Sequence, residues 1–192
     1  MTDHSATLLY KSITDLSKIS DAGIDLLFSV ASVQQLAKGQ VLLTQGAICK
    51  TVVFVEKGYL RTFINKDGLE INTDFTLEGS FTTNLKSLRS GAASDTTIQA
   101  GEAATIYAFD KDRLLDLYTL SPEIESFGRK LLEQLLIAQE EHSTVFKIYS
   151  PKERYHYLQN TRPELLERIS LSQLASYLGI ARETLSRIRK NG

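Results

Sequence analysis

The sequence is poor in the residues that build disulfide-linked and metal-held structures. Its single cysteine, Cys49, cannot form a disulfide within the chain. The three histidines lie far apart, at positions 4, 142 and 156, which excludes a zinc cage or a cysteine-held iron–sulfur cluster. The longest apolar runs, residues 51–55 and 131–138, are too short or too interrupted to span a bilayer. The N-terminus lacks the pattern of a secretory signal, so we expect a cytoplasmic protein without a bound metal.

What the sequence does have is the composition of a globular protein. Its 192 residues, 42% hydrophobic and 23% charged, can bury a core as one domain or two small ones. The net charge of −1 is unevenly distributed, because eight basic and four acidic residues follow position 149. A basic segment on an acidic body suggests that this end binds a polyanion. A chance excess of charge on a solvated face is the alternative.

Residues 40–109 are typical of short β-strands separated by turns. Strand-like runs occupy residues 41–43, 51–55, 59–64, 70–75, 96–100 and 104–109, and glycine-containing turns separate most of them. The segment 65–68 between two alternating runs predicts a β-hairpin. Short strands about every ten residues predict an antiparallel sandwich or barrel. Short helices are expected over the first 35 or so residues, so the fold class is α+β.

A long helix is predicted to follow. Ser121 is a capping residue, and Pro122 is favoured at the first helical position. No helix breaker follows until residues 150–151, which gives about 28 residues, or roughly 42 Å. Residues at alternating spacings of four and three form a heptad seam, which predicts a dimer interface. The alternative, which can hold at the same time, is packing on the sheet of the same chain, with Leu132 and Leu136 widening the apolar face. The seam comprises Ile124, Gly128, Leu131, Leu135, Ala138, His142, Val145 and Tyr149.

The segment 171–190 has the pattern of a helix-turn-helix. Its first helix carries an apolar stripe and ends at Gly179, which adopts the left-handed conformation at no steric cost. The residues one, six and nine positions after this glycine are apolar and predict the buried stripe of a second helix. An ordinary helical hairpin is the alternative. The two stripes comprise Leu174, Ala175, Leu178, Ile180, Leu185 and Ile188.

The side chains that the second helix leaves exposed suit the major groove of DNA. Arginine can bond guanine O6 and N7 together, and glutamate can accept from cytosine N4. A glutamate lowers the affinity for a polyanion unless it binds a base, so Glu183 points to base reading. It can also pair with Arg187, four residues later. We predict that Arg182, Glu183, Ser186 and Arg187 face the bases and that Arg189 and Lys190 contact phosphate.

The order of strand-rich region, long helix and helix-turn-helix resembles the Crp/Fnr family of bacterial transcription regulators, named after the cyclic-AMP receptor protein and the fumarate–nitrate reductase regulator. Motifs at 43–46, 55–60 and 182–187 match, and the resemblance covers roughly residues 20–192. It implies a cyclic-nucleotide-binding-like β-roll (a jelly roll, or double-stranded β-helix) over residues 1–120, a dimerisation helix over 121–149 and a DNA-binding helix-turn-helix over 150–192.

The resemblance also implies partners and a target. The protein would be a homodimer that binds an inverted repeat in double-stranded DNA and contacts RNA polymerase, with no membrane association. Arg182, Glu183 and Arg187 stand where the cyclic-AMP-responsive branch contacts bases, which implies a G-T-G-A-like half-site. Ser186 leaves a T-T-G-A-like half-site open. Residues 175–180 and 184–190 resemble the branch common in Bacteroidetes.

The effector pocket departs from the family. The family's phosphate cassette holds a second glycine and a glutamate, and then an arginine–serine pair. Here Thr83 and Asn84 replace the first two residues, and Ser94 and Asp95 replace the pair. An aspartate where a phosphate needs a cation repels the ligand, so we predict no binding of cyclic AMP or cyclic GMP and no cofactor. The cassette positions are Gly79, Thr83, Asn84, Leu85, Arg89, Ser94 and Asp95, of which Arg89 is not at the family's arginine position.

Two other classes of protein share features with this sequence. A small-molecule sensor could act through protein contacts, with the terminal helices as its docking surface. A cupin-like enzyme would need a histidine and carboxylate cluster on its strands, and residues 36–109 contain no histidine, so we expect no enzyme. The family continues past the reading helix into a β-hairpin wing. This sequence ends at residue 192, so most or all of the wing is expected to be missing, either natively or by truncation.

Overall fold

The computed structural model describes residues 7–190 and contains nine helices and eight strands over this range. His4 and the last two residues lie outside the described range. The helices are α1 (Leu8–Leu16), α2 (Asp21–Val30), α3 (Leu85–Ser90), α4 (Lys111–Leu120), α5 (Pro122–Ile148), α6 (Pro151–Thr161), α7 (Pro163–Arg168), α8 (Leu171–Leu178) and α9 (Arg182–Lys190). The strands are β1 (Ala31–Leu36), β2 (Val41–Leu43), β3 (Thr51–Lys57), β4 (Leu60–Lys66), β5 (Leu69–Thr76), β6 (Phe81–Thr82), β7 (Thr97–Ala100) and β8 (Ala104–Asp110).

The strands form two antiparallel sheets that share one apolar interior. One sheet has the strand order β1-β8-β3-β6 and the other β2-β7-β4-β5. Val53 and Ile106 from the first sheet and Leu60 and Ile98 from the second belong to the same buried cluster. The predicted α+β class and antiparallel sandwich are therefore confirmed. The expectation of helix up to about residue 35 is wrong for β1, because pairing with β8 over its whole length outweighs local preference.

The predicted hairpin joins β4 to β5. Asp67 and Gly68 both have positive φ, 54° and 85°, which is the geometry of a two-residue type I′ turn. The side chain of Asn65 accepts a hydrogen bond from the Gly68 N–H at 3.0 Å. Strand β4 pairs with β7 on its other side, so β5 is an edge strand of this sheet.

Helix α5 begins as the sequence predicts and extends over 27 residues. The Ser121 side chain caps it by accepting from the Ile124 N–H, and Pro122 occupies the first turn. The N-terminal half packs in one cluster with α1, α2, α4 and the outer face of β3, where Ile124 and Phe127 lie beside Phe54. Helix α6 starts with a capping box between Ser150 and Glu153.

The C-terminal helices pack against the edge of the second sheet. Phe75 of β5 shares a buried cluster with Leu158, Leu165 and Leu174 from α6, α7 and α8. The helix-turn-helix is therefore in contact with the strand region and not only tethered to it by α5. Within residues 7–190, no helix combines the length and the apolarity that a membrane span requires.

Candidate functional site

Helices α8 and α9 form the predicted helix-turn-helix. Gly179 adopts the left-handed conformation (φ 70°, ψ 35°), and its N–H bonds the carbonyls of the last turn of α8. Leu174, Leu178 and Leu185 are completely buried, and Ile180 and Ile188 pack at the margin of the same cluster. The spacing of apolar residues around the glycine thus predicted this local structure correctly.

The outer face of α9 points to solvent. Arg182, Glu183, Arg187 and Lys190 are exposed and Ser186 is half-buried. Among residues 7–190, the side chains of Arg182, Glu183 and Arg187 have neither hydrogen bonds nor ion pairs, so the predicted pair between Glu183 and Arg187 is not formed. An exposed pair of this kind gains only a few tenths of a kcal/mol, about the cost of ordering two side chains.

Arg189 differs from the other basic residues of α9. Its Nη2 donates to the carbonyl oxygen of Leu166 in α7 at 2.8 Å. The side chain remains exposed, but the hydrogen bond ties it to the neighbouring helix. A phosphate contact by Arg189, as the sequence predicts, would use the remaining guanidinium nitrogens.

Three further arginines of the basic C-terminal segment bind groups of their own chain. Arg154 donates to three carbonyl oxygens, of Phe146 and Tyr149 at the end of α5 and of Leu178 at the end of α8, at 2.8–3.0 Å. It therefore joins the C-termini of α5 and α8. Arg162 and Arg168 face the strand region. The charge excess of this segment overestimates the number of cations free to meet a polyanion.

Helix α8 lies along the open edge of β5. The Ser176 hydroxyl accepts from the Asn72 N–H and donates to the Glu70 carbonyl, both at 3.0 Å. An edge strand presents unpaired N–H and C=O groups, and this hydroxyl satisfies one of each. Arg162 adds a hydrogen bond to the Phe75 carbonyl and lies 3.6 Å from the Asp74 carboxylate.

A second polar contact closes the other end of the same surface. Arg168 binds both oxygens of Glu78, at 2.7 and 2.9 Å, and also contacts Glu102. The hydrogen bonds from Arg168 hold the pKa of Glu78 below its usual value, and those same bonds raise the pKa of Arg168. We call the surface formed by Ser176, Arg162 and Arg168 with the sheet the docking contact.

The cassette of the strand region is closed by its own hydrogen bonds. The amide nitrogen of Asn84 donates to Ser94, Asp95 and Thr96 at 2.9–3.0 Å, and its oxygen caps α3. This bond from Asn84, with Lys86 nearby, lowers the pKa of Asp95. Arg89 is exposed on α3 and has not turned into the interior. The polar atoms of Asn84 are therefore already bonded within the cassette and are not free to bind a ligand there.

The interior next to this cassette is apolar. Leu88 of α3 packs in the cluster between the two sheets. Thr83 donates to the Thr51 carbonyl at 2.9 Å, while Gly79 takes a positive φ of 78° and Leu85 is half-exposed. Ser94 is only 3% exposed and donates to the Thr96 carbonyl.

Comparison with known proteins identifies this region. Residues 33–120 match the cyclic nucleotide-binding domain. The matched segment contains nearly all of both sheets, the cassette and α4. In a comparison with proteins of curated function, none matches the chain.

Solved structures extend the similarity beyond the cyclic nucleotide-binding domain. CLP, a c-di-GMP-responsive global regulator from Xanthomonas campestris, matches with a TM-score of 0.70 and 16% identity over 90% of this chain and 91% of its own. FixK2 from Bradyrhizobium japonicum matches at 0.67 and 19%, over 84% of each chain. The catabolite activator protein of Thermus thermophilus matches at 0.57 and 20%, over 90% and 83%. The chain thus has the fold of these regulators.

A surface cleft of the strand region does not coincide with the cassette of the cyclic nucleotide-binding domain. It has a volume of about 660 Å³, and Phe63, Thr97 and Gln99 are among its lining residues. These residues alternate along β4 and β7 with the apolar residues of the interior, so the cleft lies on the opposite face of the sheet. None of the seven predicted pocket residues lines it.

The predicted dimer seam on α5 faces mostly inward. Ile124, Leu131 and Val145 are buried in their own chain, and Gly128 is in contact with the Tyr118 ring, where an added Cβ would lie 2.2 Å from the hydroxyl. Leu135 packs against the same core, and His142 stacks on Phe146 of the same helix. These seam residues therefore take part in the core of their own chain, which is the alternative that the spacing left open, and their role in a subunit interface stays a prediction.

The exposed apolar residues of α5 lie on another face. Leu132, Leu136 and Ile137 are 47%, 67% and 57% exposed, and Ala138 beside them is exposed as well. Of the predicted seam, only Ala138 belongs to this surface. A cleft of about 380 Å³ between α4 and α5 runs along Leu132 and Leu136.

Sequence reasoning missed the residues of the docking contact. Ser176, Arg162 and Arg168 have partners 66 to 106 residues away in the chain. No local spacing marks such pairs. The only available signal was the clustering of arginines between residues 150 and 170, which sequence reasoning assigned to a polyanion.

Proposed function

We propose that this protein is a transcription regulator of the Crp/Fnr family that binds double-stranded DNA through α9. The observation that carries the proposal is the exposed, unpaired set of Arg182, Glu183 and Arg187 on a helix whose opposite face is buried at Leu185. Direct reading of base edges requires side chains that have no partner in the protein. The first two turns of α9 carry such side chains of both charges, two arginines and a glutamate. The motif at 175–180 suggests the Bacteroidetes-like branch.

Each exposed residue has a distinct role in this proposal. Arg182 and Arg187 bond guanine, and Glu183 accepts from cytosine. Ser186 lies beside them and decides between a G-T-G-A-like and a T-T-G-A-like half-site. Lys190 and the free nitrogens of Arg189 contact phosphates, which position the helix without reading sequence.

The functional unit is a two-fold dimer in this proposal, in contact with RNA polymerase. The exposed face at Leu132, Leu136 and Ile137 supports α5 as the site of pairing, because contiguous apolar surface on a soluble protein marks an interaction site. A two-fold axis would place the two reading helices about 34 Å apart, one turn of DNA. The operator would then be an inverted repeat.

Cyclic AMP and cyclic GMP do not control the protein in this proposal. Asn84 is bound to its own loop, and Asp95 holds a negative charge where a cyclic phosphate would lie. The strand domain then acts as a mount for α5 and the helix-turn-helix, or it binds an effector of other chemistry.

The test is selection of bound duplexes from random DNA, followed by titration of the preferred site. Arg187→Ala should weaken the preferred site by about 1–3 kcal/mol and flatten the preference at one base pair. Lys190→Ala should weaken all sequences alike and lower the salt slope by roughly one. Arg89→Ala removes the same charge from an exposed helix elsewhere and is the matched control. Equal losses of specific and random duplex in both α9 variants would contradict this division of roles.

A further inference from the structure

His142 lies where α5, α8 and β5 meet. Its ring stacks on Phe146 with 4.4 Å between centroids and 28° between planes, and it lies 5.6 Å from the ring of Tyr177 on α8. Tyr177 in turn packs edge-on against Phe75 of β5 at 5.4 Å. We call these four rings the aromatic junction. It is the apolar centre between α5, the helix-turn-helix and the sheet.

The histidine has no polar partner for one of its ring nitrogens. Within residues 7–190, Nε2 of His142 is buried without a hydrogen-bond partner. Burial lowers the pKa of His142, while Asp74 of β5 raises it and Arg162, which precedes α7, lowers it. Tyr177 is the titratable group on α8, and its own pKa is raised by burial. The docked arrangement therefore favours the neutral ring.

A proton on His142 would change this balance. The imidazolium would stand in an aromatic pocket with Nε2 still unpaired, and Arg162 would repel it. Among the described residues, the opposite charge that favours the proton comes from Asp74, which is half-exposed and already close to Arg162. Release of α8 from the sheet would expose the ring to water and remove the penalty.

We propose that His142 is a proton-sensitive lock on the docking contact, which holds the helix-turn-helix on the sheet at neutral pH and loosens it in acid. A histidine whose pKa is lowered in the docked state binds fewer protons there, so docking is favoured at high pH. The loss begins as the pH falls below the ordinary value of about 6.5 and ends at the lowered pKa. A pKa difference of one unit between docked and released states changes the docking constant about tenfold.

The consequence for DNA rests on the proposed function. The reading face of α9 is exposed while the unit is docked, so docking does not block it and instead fixes its orientation. When the helix-turn-helix is released from the sheet, binding has to order it again, which lowers the affinity. The affinity for the preferred duplex should therefore fall in acid.

The pH dependence of the docking contact is tested without DNA, so the result does not depend on whether the proposed function is correct. The amide of Asn72 is the reporter, because its N–H bonds Ser176 Oγ across the docking contact. Hydrogen exchange of this amide in the full chain is measured from pH 7.5 to 5.5 and corrected for the intrinsic rate. We expect protection to fall with acid in the native protein and to stay constant in His142→Phe, which keeps a ring and cannot take a proton.

Two further variants complete the test. His156→Asn removes the histidine of α6 that bonds Gln159 and should keep the native pH dependence. Asp74→Asn removes the carboxylate that favours the proton in the docked state, so it lowers the docked pKa of His142 further. The loss of protection should begin at the same pH, near 6.5, but continue to lower pH and become larger in total. This variant also tests the lock if His142→Phe does not fold. Constant protection in the native protein, or an unchanged pH dependence in His142→Phe or in Asp74→Asn, would overturn the proposal.

Discussion

The ion pair between Arg168 and Glu78 should contribute measurably to stability, unlike most surface pairs. Two hydrogen bonds join the guanidinium to the carboxylate at 2.7 and 2.9 Å, and the two side chains are only 27% and 30% exposed. Net contributions of hydrogen bonds to charged groups are about 1.5–3 kcal/mol. Arg168→Gln leaves Glu78 and Glu102 partly hydrated, so we expect a loss of about 2 kcal/mol in the free energy of unfolding.

A double-mutant cycle separates this pair from its surroundings. Urea unfolding at pH 7 of Arg168→Gln, Glu78→Gln and the double variant should give a coupling energy of about 1–2 kcal/mol. The pair Arg129–Glu133 on α5 is the matched control, since its side chains are 64% and 56% exposed and four residues apart. The same two substitutions there should give about 0.3–0.5 kcal/mol.

The pH dependence of the free energy of unfolding tests whether the ionised carboxylate of Glu78 is the source of this stability. Because the pKa of Glu78 is lowered in the folded protein, its contribution is complete above the ordinary value of about 4.5 and is lost as the pH falls through the lowered pKa. The stability difference between native protein and Glu78→Gln should stay constant from pH 8 to 6 and shrink below pH 4.5. Coupling no larger than that of the control pair, or a difference that persists in acid, would refute the reasoning.

Two more predictions concern self-association and the cassette. Leu136→Glu should abolish dimers in sedimentation at micromolar concentration and leave the monomer folded, because this side chain is 67% exposed; Leu135→Glu should instead destabilise the fold, because Leu135 packs on the core. A monomeric native protein would remove the dimer from the proposal. Calorimetry should detect no site of micromolar or tighter affinity for cyclic AMP or cyclic GMP, and such a site would contradict the role assigned to Asn84 and Asp95.

Local patterns predicted the elements whose determinants are local. The turn at Asp67 and Gly68 and the left-handed Gly179 follow from residues that tolerate positive φ. The start of α5 at Pro122 follows from a cap and a favoured first residue. In each case the chemistry that decides the conformation lies within four residues of the feature.

Helix α5 is a case in which the sequence pattern does not decide the packing. A spacing of four and three describes a coiled-coil seam and a core-facing stripe equally well. The structure assigns Ile124, Leu131 and Val145 to the core, and Gly128 makes room for Tyr118 rather than for a second helix. Which face is inward depends on α1, α2 and α4, and periodicity within α5 contains no information about them.

The same limitation changes the meaning of the charge asymmetry. Eight basic residues follow position 149, yet Arg154, Arg162 and Arg168 bind carbonyls and carboxylates of their own chain. Contacts with phosphates supply most of the non-specific affinity for DNA. Because these three arginines are bonded within the chain, the non-specific affinity should be lower than the charge count suggests. Under the proposed function, binding then depends more on base contacts by α9 than the charge count suggests. A single unpaired glutamate on that helix, costly in a purely electrostatic contact, is consistent with such a balance.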